Sequence, residues 1–138
     1  MKTTLQPGLE AHARFDVDRE RTIDFMGEAV RVYATPVLVR DIEIACRNLL
    51  LPHLDAGEDS VGTRVEIDHI GATLLGMAVV LTVRVAEVNG RAVVFEVEGR
   101  DAVEPIVRGR HSRFVVDVAK TAQRLAAKAE KAKAATGG

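Results

Sequence analysis

The apolar residues between positions 35 and 51 recur at helical spacing. Thr35 is suited to cap this helix, and Pro36 fits the first helical position, where a missing N–H costs nothing. Pro52 and the polar loop after it end the segment. At about 100° per residue, one broad arc carries Leu38, Val39, Ile42, Ala45, Cys46, Leu49 and Leu50. The opposite arc mixes polar with apolar side chains, so we expect the helix to be covered on more than one side: Arg40, Asp41, Arg47, Asn48, Val37, Ile44 and Leu51.

Alternating or β-branched runs predict strands on both sides of this helix. In the run after the helix, Val65, Ile67 and His69 share one face, and the charged residues share the other. A later Asn89-Gly90 pair predicts a tight hairpin turn, with Val88 opposite Arg91 and Val85 opposite Val94. Residues 22–34 fit a lid or a short strand, and residues 71–76 fit a loop. The predicted strands are residues 11–17, 61–70, 77–88, 91–99 and 103–116.

The predicted order, a strand, a long helix and a meander of about four strands, indicates an α+β fold. One antiparallel sheet would wrap one helix within a domain of residues 1–117. The Ala/Lys-rich residues 118–138 follow as a tail, and its residues 118–135 favour a solvated helix. Such a sheet has exposed edges and does not cover the helix completely, so we predict a homodimer.

The composition is that of an ordinary globular protein, and it argues against some classes of binding partner. Of 138 residues, 47% are hydrophobic and 28% are charged, and the net charge of −1 gives no reason to expect nucleic acid or an anionic membrane. The lone Cys46 excludes an intrachain disulfide, and no Cys/His spacing is typical of a metal site. Apolar runs are far shorter than the ~20 residues that span a bilayer, and the N-terminus lacks a secretory signal pattern. We therefore expect a cytoplasmic protein.

Three residues suit chemistry, although each also has a purely structural interpretation. Thr35 either caps the helix or, with the free N–H groups there, offers a donor to a developing oxyanion. Glu43 either pairs with Arg47 four residues on or, if a second chain covers it, becomes a desolvated carboxylate able to act as base or nucleophile. His69 either packs as a core or interface residue or handles a proton. His111 is a weaker candidate, with a surface position as its alternative.

An ordered set of short motifs resembles one protein family. Together the motifs are similar to the hotdog-fold thioesterases related to fluoroacetyl-CoA thioesterase, over about residues 10–116. Each fragment alone is unspecific, and the order and spacing carry the resemblance. The motifs are Val32-Tyr33-Ala34-Thr35, Glu43-Ile44-Ala45-Cys46, Pro52-His53-Leu54, Gly57-Glu58-Asp59-Ser60-Val61-Gly62-Thr63 and His69-Ile70-Gly71-Ala72-Thr73-Leu74-Leu75-Gly76.

This resemblance implies a site as well as a fold. It implies a hotdog homodimer, or a higher oligomer, whose acyl-CoA sites lie at the subunit interface and hydrolyse the thioester with water, without metal or organic cofactor. Thr35 would bind the thioester oxygen or orient Glu43. Glu43 would be the nucleophile or the base that activates water, and His69 would position water or handle the proton. The resemblance assigns substrate binding to Gly62, Thr63, Gly71, Ala72 and His111.

Two observations bear on this implied site. Thr35 and Glu43 are eight residues apart, a rise of about 12 Å along a helix, which exceeds hydrogen-bond reach. Either the site combines groups from two chains, which we favour, or the helix starts later than its cap signal indicates. The fluoroacetyl-specific enzyme closes its pocket with phenylalanines upstream of the threonine, whereas Met26 and Ala29 stand at those spacings here. We therefore expect another small or medium acyl group.

Acyl-CoA thioester hydrolysis is the leading hypothesis. One alternative is a non-catalytic hotdog dimer that binds acyl-CoA or a related ligand. A second is a hotdog hydratase, but that activity is expected to use a His/Asp dyad in a different sequence setting, which is not found here.

Overall fold

A long helix is packed against one antiparallel sheet in the computed structural model, which describes residues 1–137. The elements are β1 (Glu10–Asp16), α1 (Thr35–Leu50), β2 (Glu58–His69), β3 (Ala78–Asn89), β4 (Ala92–Arg100), β5 (Pro105–Asp117) and α2 (Val118–Ala135). Their order along the chain is confirmed, and each strand boundary lies within three residues of its prediction. Within the described residues the strands are arranged in the order β1-β3-β4-β5-β2, so the predicted meander of four strands is wrong: only β3, β4 and β5 form one, and β2 pairs with β5.

The core lies between α1 and the sheet. Leu38, Ile42 and Leu50 of α1 are fully buried, as the apolar arc predicts. They meet apolar side chains of β3 and β4 in one cluster, in which each large side chain contributes about 1.5–3 kcal/mol by leaving water. The main sheet residues of that cluster are Val79, Leu81, Val83, Val85, Val93, Phe95 and Val97.

Asp41 departs from the predicted helix pattern. The helical arcs place it on the polar side of α1, but its side chain is completely buried. Its carboxylate accepts hydrogen bonds from Tyr33 and Arg21, which both precede the helix in the chain. Periodicity alone cannot detect this burial, because the compensating donors come from another segment.

The β3–β4 turn lies one residue later than predicted. Asn89 pairs with Ala92, so Gly90 and Arg91 are the two turn residues, and the prediction of Val88 opposite Arg91 is wrong. Gly90 has a φ of 59°, whereas none of the described non-glycine residues has a positive φ. This turn therefore requires glycine at its first central position only, as in a type II′ turn, rather than at both positions.

A bulge precedes this turn in β3. The pairing register shifts between Val85 and Glu87, so that Val85 lies opposite Phe95, not opposite Val94 as predicted. Both Val85 and Phe95 are buried. The extra residue in β3 thus brings both large side chains onto the core face of the sheet, which the register set by the turn would not do alone.

Residues 22–34 form neither a complete strand nor a helix. Isolated bridges join Thr22 to Tyr33 and Val32 to Leu74, and a 3₁₀ turn covers Glu28–Val30. Phe25, next to Met26, exposes 79% of its surface. The segment lies immediately before α1 and carries exposed apolar side chains at its tip.

The last helix, α2, is exposed along its length, as predicted for the tail. Asp117 caps it by accepting a hydrogen bond from the backbone N–H of Lys120 at 3.0 Å. None of its residues is buried. The division at residue 117 stays a prediction, and residue 138 lies outside the described part. Neither helix of residues 1–137 has the length and apolar character needed to cross a membrane.

Strand β2 is an edge of the sheet. Within residues 1–137 it pairs with β5 alone, so its other side has no strand partner. Exposed apolar side chains lie on and beside this edge, namely Ile44 of α1, Val61 and Val65 of β2, and Phe114 of β5. An unpaired edge with apolar neighbours is a surface that natural proteins usually cover.

Candidate active site

Thr35 and His69 come together where α1 begins and β2 ends. Thr35 is the first residue of α1, and Ala34 occupies the cap position, so the predicted capping role of Thr35 is wrong. Its Oγ1 atom lies 2.7 Å from Nδ1 of His69, within hydrogen-bond distance. The antiparallel course of the sheet brings the end of β2 next to the start of the helix, although the two residues are 34 positions apart.

The environment of His69 favours a neutral imidazole. Burial lowers the pKa of His69 from its ordinary value of 6.5. Its Nε2 atom is buried and has no hydrogen-bond partner among the described residues. If Nδ1 carries the proton and donates to Thr35, Nε2 presents a lone pair and the threonine hydroxyl hydrogen is free for another acceptor. That tautomer gives the pair one proton acceptor and one donor.

Glu43 lies two turns along α1, at the boundary between core and solvent. Its side chain is 40% exposed, and Oε1 lies 3.6 Å from Nη1 of Arg113. The alternative pairing with Arg47 is wrong, because Arg47 binds both carboxylate oxygens of Asp59 at 2.7 and 2.9 Å. Gly62 of β2 lies against the carboxylate, so closely that a Cβ atom there would collide with Oε1 of Glu43.

Arg113 is a site residue that the sequence analysis missed. Its guanidinium is buried and donates to the hydroxyl of Ser60 at 2.7 Å and to the carbonyl of Ser60 at 2.8 Å. Burial lowers the pKa of Arg113. The alternation along β5 places His111, Arg113 and Val115 on the buried face, which is the signal that would have found it.

His111 is buried, so the alternative of a surface position is wrong. Nη1 of Arg113 donates to its Nε2 atom at 3.1 Å, because a guanidinium has donors only. Nδ1 therefore carries the proton and donates to the carbonyl oxygen of Arg64 at 2.8 Å. Burial lowers the pKa of His111, and its ring stacks on Phe95. His111 supports Arg113, which in turn faces Glu43.

The other predicted binding residues are divided between two places. Thr63 is exposed beside Gly62 and donates from Oγ1 to the carbonyl of Ser112 at 3.2 Å. Gly71 follows His69 and packs closely against residues 104–106, with exposed Ala72 next to it. One chain therefore holds two clusters. Thr35 and His69 form the first, with residues 71 and 72 beside it, and Glu43, Gly62, His111 and Arg113 form the second.

The two clusters do not meet within one chain. Helix α1 starts at Thr35 itself, so the alternative of a later helix start is wrong. The axial separation of Thr35 and Glu43 is thus about 12 Å. Within residues 1–137, His, Cys, Asp and Glu side chains form no group of three that could hold a metal ion.

Comparison with known proteins identifies the family. The family model described as "Fluoroacetyl-CoA-specific thioesterase" (FlK) matches residues 17–119. A fluoroacetyl-CoA thioesterase of Streptantibioticus cattleyicolor is 36% identical over 93 residues, which are 67% of this chain and 67% of that protein.

Solved structures give the same result for the fold. A thioesterase superfamily member from Thermus thermophilus has a TM-score of 0.87 and 30% identity, with 96% of this chain and 98% of that chain covered. A hot-dog-like protein from Thermanaerovibrio acidaminovorans has a TM-score of 0.82 and 24% identity, covering 88% and 91% of the two chains, and supports the fold alone. The resemblance seen in the motifs is confirmed: this chain belongs to the fluoroacetyl-CoA-specific thioesterase family, has the hotdog fold and is a thioester hydrolase.

Proposed function

We propose that this protein hydrolyses acyl-CoA thioesters at a site that combines Thr35 and His69 of one copy with Glu43 of a second copy. The observation that carries the proposal is the 2.7 Å contact between Thr35 Oγ1 and His69 Nδ1, beside a buried Nε2 with no partner among the described residues. A hydrogen-bonded pair with one free donor and one free acceptor suits a polarised thioester and a reacting water.

Each residue has a definite task in this proposal. The Thr35 hydroxyl and the free N–H groups at the start of α1 bind the thioester oxygen, where negative charge develops. Glu43 either takes a proton from the attacking water or attacks the thioester carbon itself, giving a mixed anhydride that water then hydrolyses. His69 positions the water or returns a proton to the sulfur of the leaving thiolate. Either route consumes one water and yields a carboxylic acid and the CoA thiol, without metal or organic cofactor.

A second copy is needed because one chain separates the two clusters. The unpaired edge of β2 and the exposed apolar residues Ile44, Val61 and Val65 provide a surface for pairing. Both β2 and the adjacent face of α1 carry site residues, so an interface there would bring a second Glu43 towards the Thr35–His69 pair. It would also complete the cover over the helix. The resulting homodimer can associate further into a higher oligomer.

The proposed substrate carries a small or medium acyl group. In place of the phenylalanines that close the pocket of the fluoroacetyl-specific enzyme, this chain has Met26 and Ala29 in the segment before α1. A flexible methionine and an alanine leave more room than two aromatic rings.

The proposed location of the protein is the cytoplasm. Cys46 is a buried free thiol, and a free thiol suits a reducing compartment.

Release of free thiol from a panel of straight-chain acyl-CoAs, with fluoroacetyl-CoA included, tests the proposal. The wild type is expected to turn over several of them, and His69→Ala is expected to lose at least about a hundredfold in kcat. His12→Ala, an exposed histidine on β1, is the matched control and should keep full activity. Full activity of His69→Ala would contradict the proposed site.

The alternative, a non-catalytic dimer that binds acyl-CoA, predicts no hydrolysis. A non-catalytic dimer would release no thiol from any acyl-CoA, yet would bind a non-hydrolysable acyl-CoA analogue in calorimetry. That pair of results would overturn the hydrolytic proposal.

A further inference from the structure

A network of buried and partly buried polar side chains lies next to the Thr35–His69 pair. The carboxylate of Asp41 accepts from Tyr33 Oη at 2.5 Å and from Arg21 Nε at 3.1 Å. Arg21 also binds Asp18 at 2.7 Å. Asp41 is fully buried and Tyr33 is nearly so. None of these four residues has a part in the proposed chemistry.

Tyr33 connects this network of side chains to the site. Its ring meets the ring of His69 edge to face, with centroids 6.3 Å apart and planes at 82°. Its backbone N–H donates to the carbonyl of Thr73 at 2.8 Å, and it precedes Thr35 by only two residues. Tyr33 is therefore held by hydrogen bonds at its backbone and at its hydroxyl. The ring of His69 packs against this doubly held side chain.

Stability alone does not account for the polar groups. A buried carboxylate is unfavourable unless it is paired, and an apolar pair of similar volume is often as stable as a buried ionic one. Here one carboxylate oxygen, Oδ2, holds both hydrogen bonds, and Oδ1 has no hydrogen-bond partner among the described residues. Arg40 is the other nearby charge, with Nη2 3.9 Å from Oδ1. The directional bonds to Oδ2 set the position of the Tyr33 ring, which an apolar contact would leave free to slide.

We propose that Tyr33, anchored by Asp41, is a positioning residue that fixes the imidazole plane of His69. In that plane Nδ1 keeps its hydrogen bond with Thr35, and Nε2 stays aimed at the substrate. The inference rests on the proposed function, because His69 must be catalytic for its orientation to affect turnover.

Two substitutions distinguish the effect of the Tyr33 ring from the effect of its hydrogen bond to Asp41. Tyr33→Phe keeps the ring and removes the hydrogen bond to Asp41, whereas Tyr33→Leu removes the edge-to-face contact. We expect kcat to fall about tenfold or more in Tyr33→Leu and by a smaller factor in Tyr33→Phe, with KM nearly unchanged in both, because orientation affects the reaction more than binding. Leu54→Ala, a buried substitution outside the site, controls for a general loss of stability.

A direct readout is the imidazole ¹⁵N spectrum of His69 across pH, assigned with His69→Ala. In Tyr33→Leu we expect the tautomer preference to weaken and the His69 pKa to rise towards its ordinary value, as water enters. Leu54→Ala should leave the spectrum unchanged. If both Tyr33 variants keep the wild-type kcat and His69 spectrum, the inference is wrong, and Tyr33→Phe decides alone if Tyr33→Leu does not fold. Unchanged activity of His69→Ala would instead refute the proposed function, and the spectrum would still test the positioning.

Discussion

Glu43 and Arg113 face each other across the boundary between α1 and the sheet, with Oε1 and Nη1 3.6 Å apart. The guanidinium is only 6% exposed and is held from behind by Ser60 and His111, whereas the carboxylate is 40% exposed. The guanidinium is therefore held by hydrogen bonds, and the carboxylate is accessible to solvent. This arrangement places a carboxylate at the protein surface, next to the unpaired edge of β2.

Replacement of Glu43 by glutamine should remove activity and leave the fold intact. The amide has nearly the same shape but is a poor base and a poor nucleophile, so we expect kcat to fall by about 10²–10⁴. Thermal unfolding should change little, because the side chain is partly exposed. Glu66→Gln, on the exposed face of the same edge strand, is the control in the thiol-release assay. Wild-type kcat in Glu43→Gln would remove this residue from the mechanism.

Mixing two inactive variants tests whether each site uses two chains. A heterodimer of Glu43→Gln and His69→Ala has one intact site only if Glu43 and His69 come from different copies. After unfolding and refolding together, an equal mixture should regain about a quarter of the wild-type activity, the share expected for random pairing. Absence of any regain, with heterodimers detected by mass spectrometry, would place the whole site in one chain.

The pH dependence of kcat/KM should report the state of His69. Burial lowers its pKa below 6.5, so the neutral, proton-accepting form persists at neutral pH and is lost only as the pH falls through the lowered value. We expect a plateau through neutral pH and a fall approaching tenfold per pH unit below the lowered pKa. An acid limb with a midpoint above pH 6.5 would contradict this assignment.

The free energy of unfolding should fall as the pH decreases below about 6.5, because burial also lowers the pKa of His69 and His111. Folding keeps His69 and His111 neutral, because burial lowers the pKa of each. Their favourable contribution is present above the unfolded value of about 6.5 and is lost as the pH falls through it towards the folded values. Urea unfolding at each pH of the activity series separates this loss of folded protein from a true change in catalysis.

Gly62 should be intolerant of even one added carbon. The Cβ of alanine would occupy the position of Glu43 Oε1, so the carboxylate must swing away. We expect Gly62→Ala to lower kcat by at least about tenfold while the protein stays folded, because its backbone φ is not in the region reserved for glycine. In the Glu43→Gln background the same change should have little further effect on kcat, as expected for two residues acting through one group. Additive losses of kcat would show that Gly62 acts independently of Glu43.

Local signals in the sequence account for most of the fold. The proline at position 36 and the apolar spacing after it define α1, and the glycine at position 90 marks the hairpin. The exact turn position escaped prediction because Asn-Gly is compatible with two registers, and the bulge after Val85 decides between them. Such a choice depends on packing against the core, which a local pattern does not contain.

The site was less predictable because its residues are paired by tertiary contacts. Asp41 looks like a surface residue until Arg21 and Tyr33 are placed beside it. The alternation along β5 indicates a buried face for His111 and Arg113. It does not show their partners, because Ser60 and Glu43 come from other elements of the fold. The resemblance to a family implies catalytic roles for Thr35, Glu43 and His69, and the fold shows what surrounds them.

The single thiol of the chain offers an internal probe of how the core opens. Cys46 lies on the buried side of α1, and burial raises its pKa to about 12. A maleimide or iodoacetamide reagent can react only when the helix detaches from the sheet and lets the thiolate form. The rate of alkylation under native conditions therefore measures the free energy of that local opening, without any engineered label.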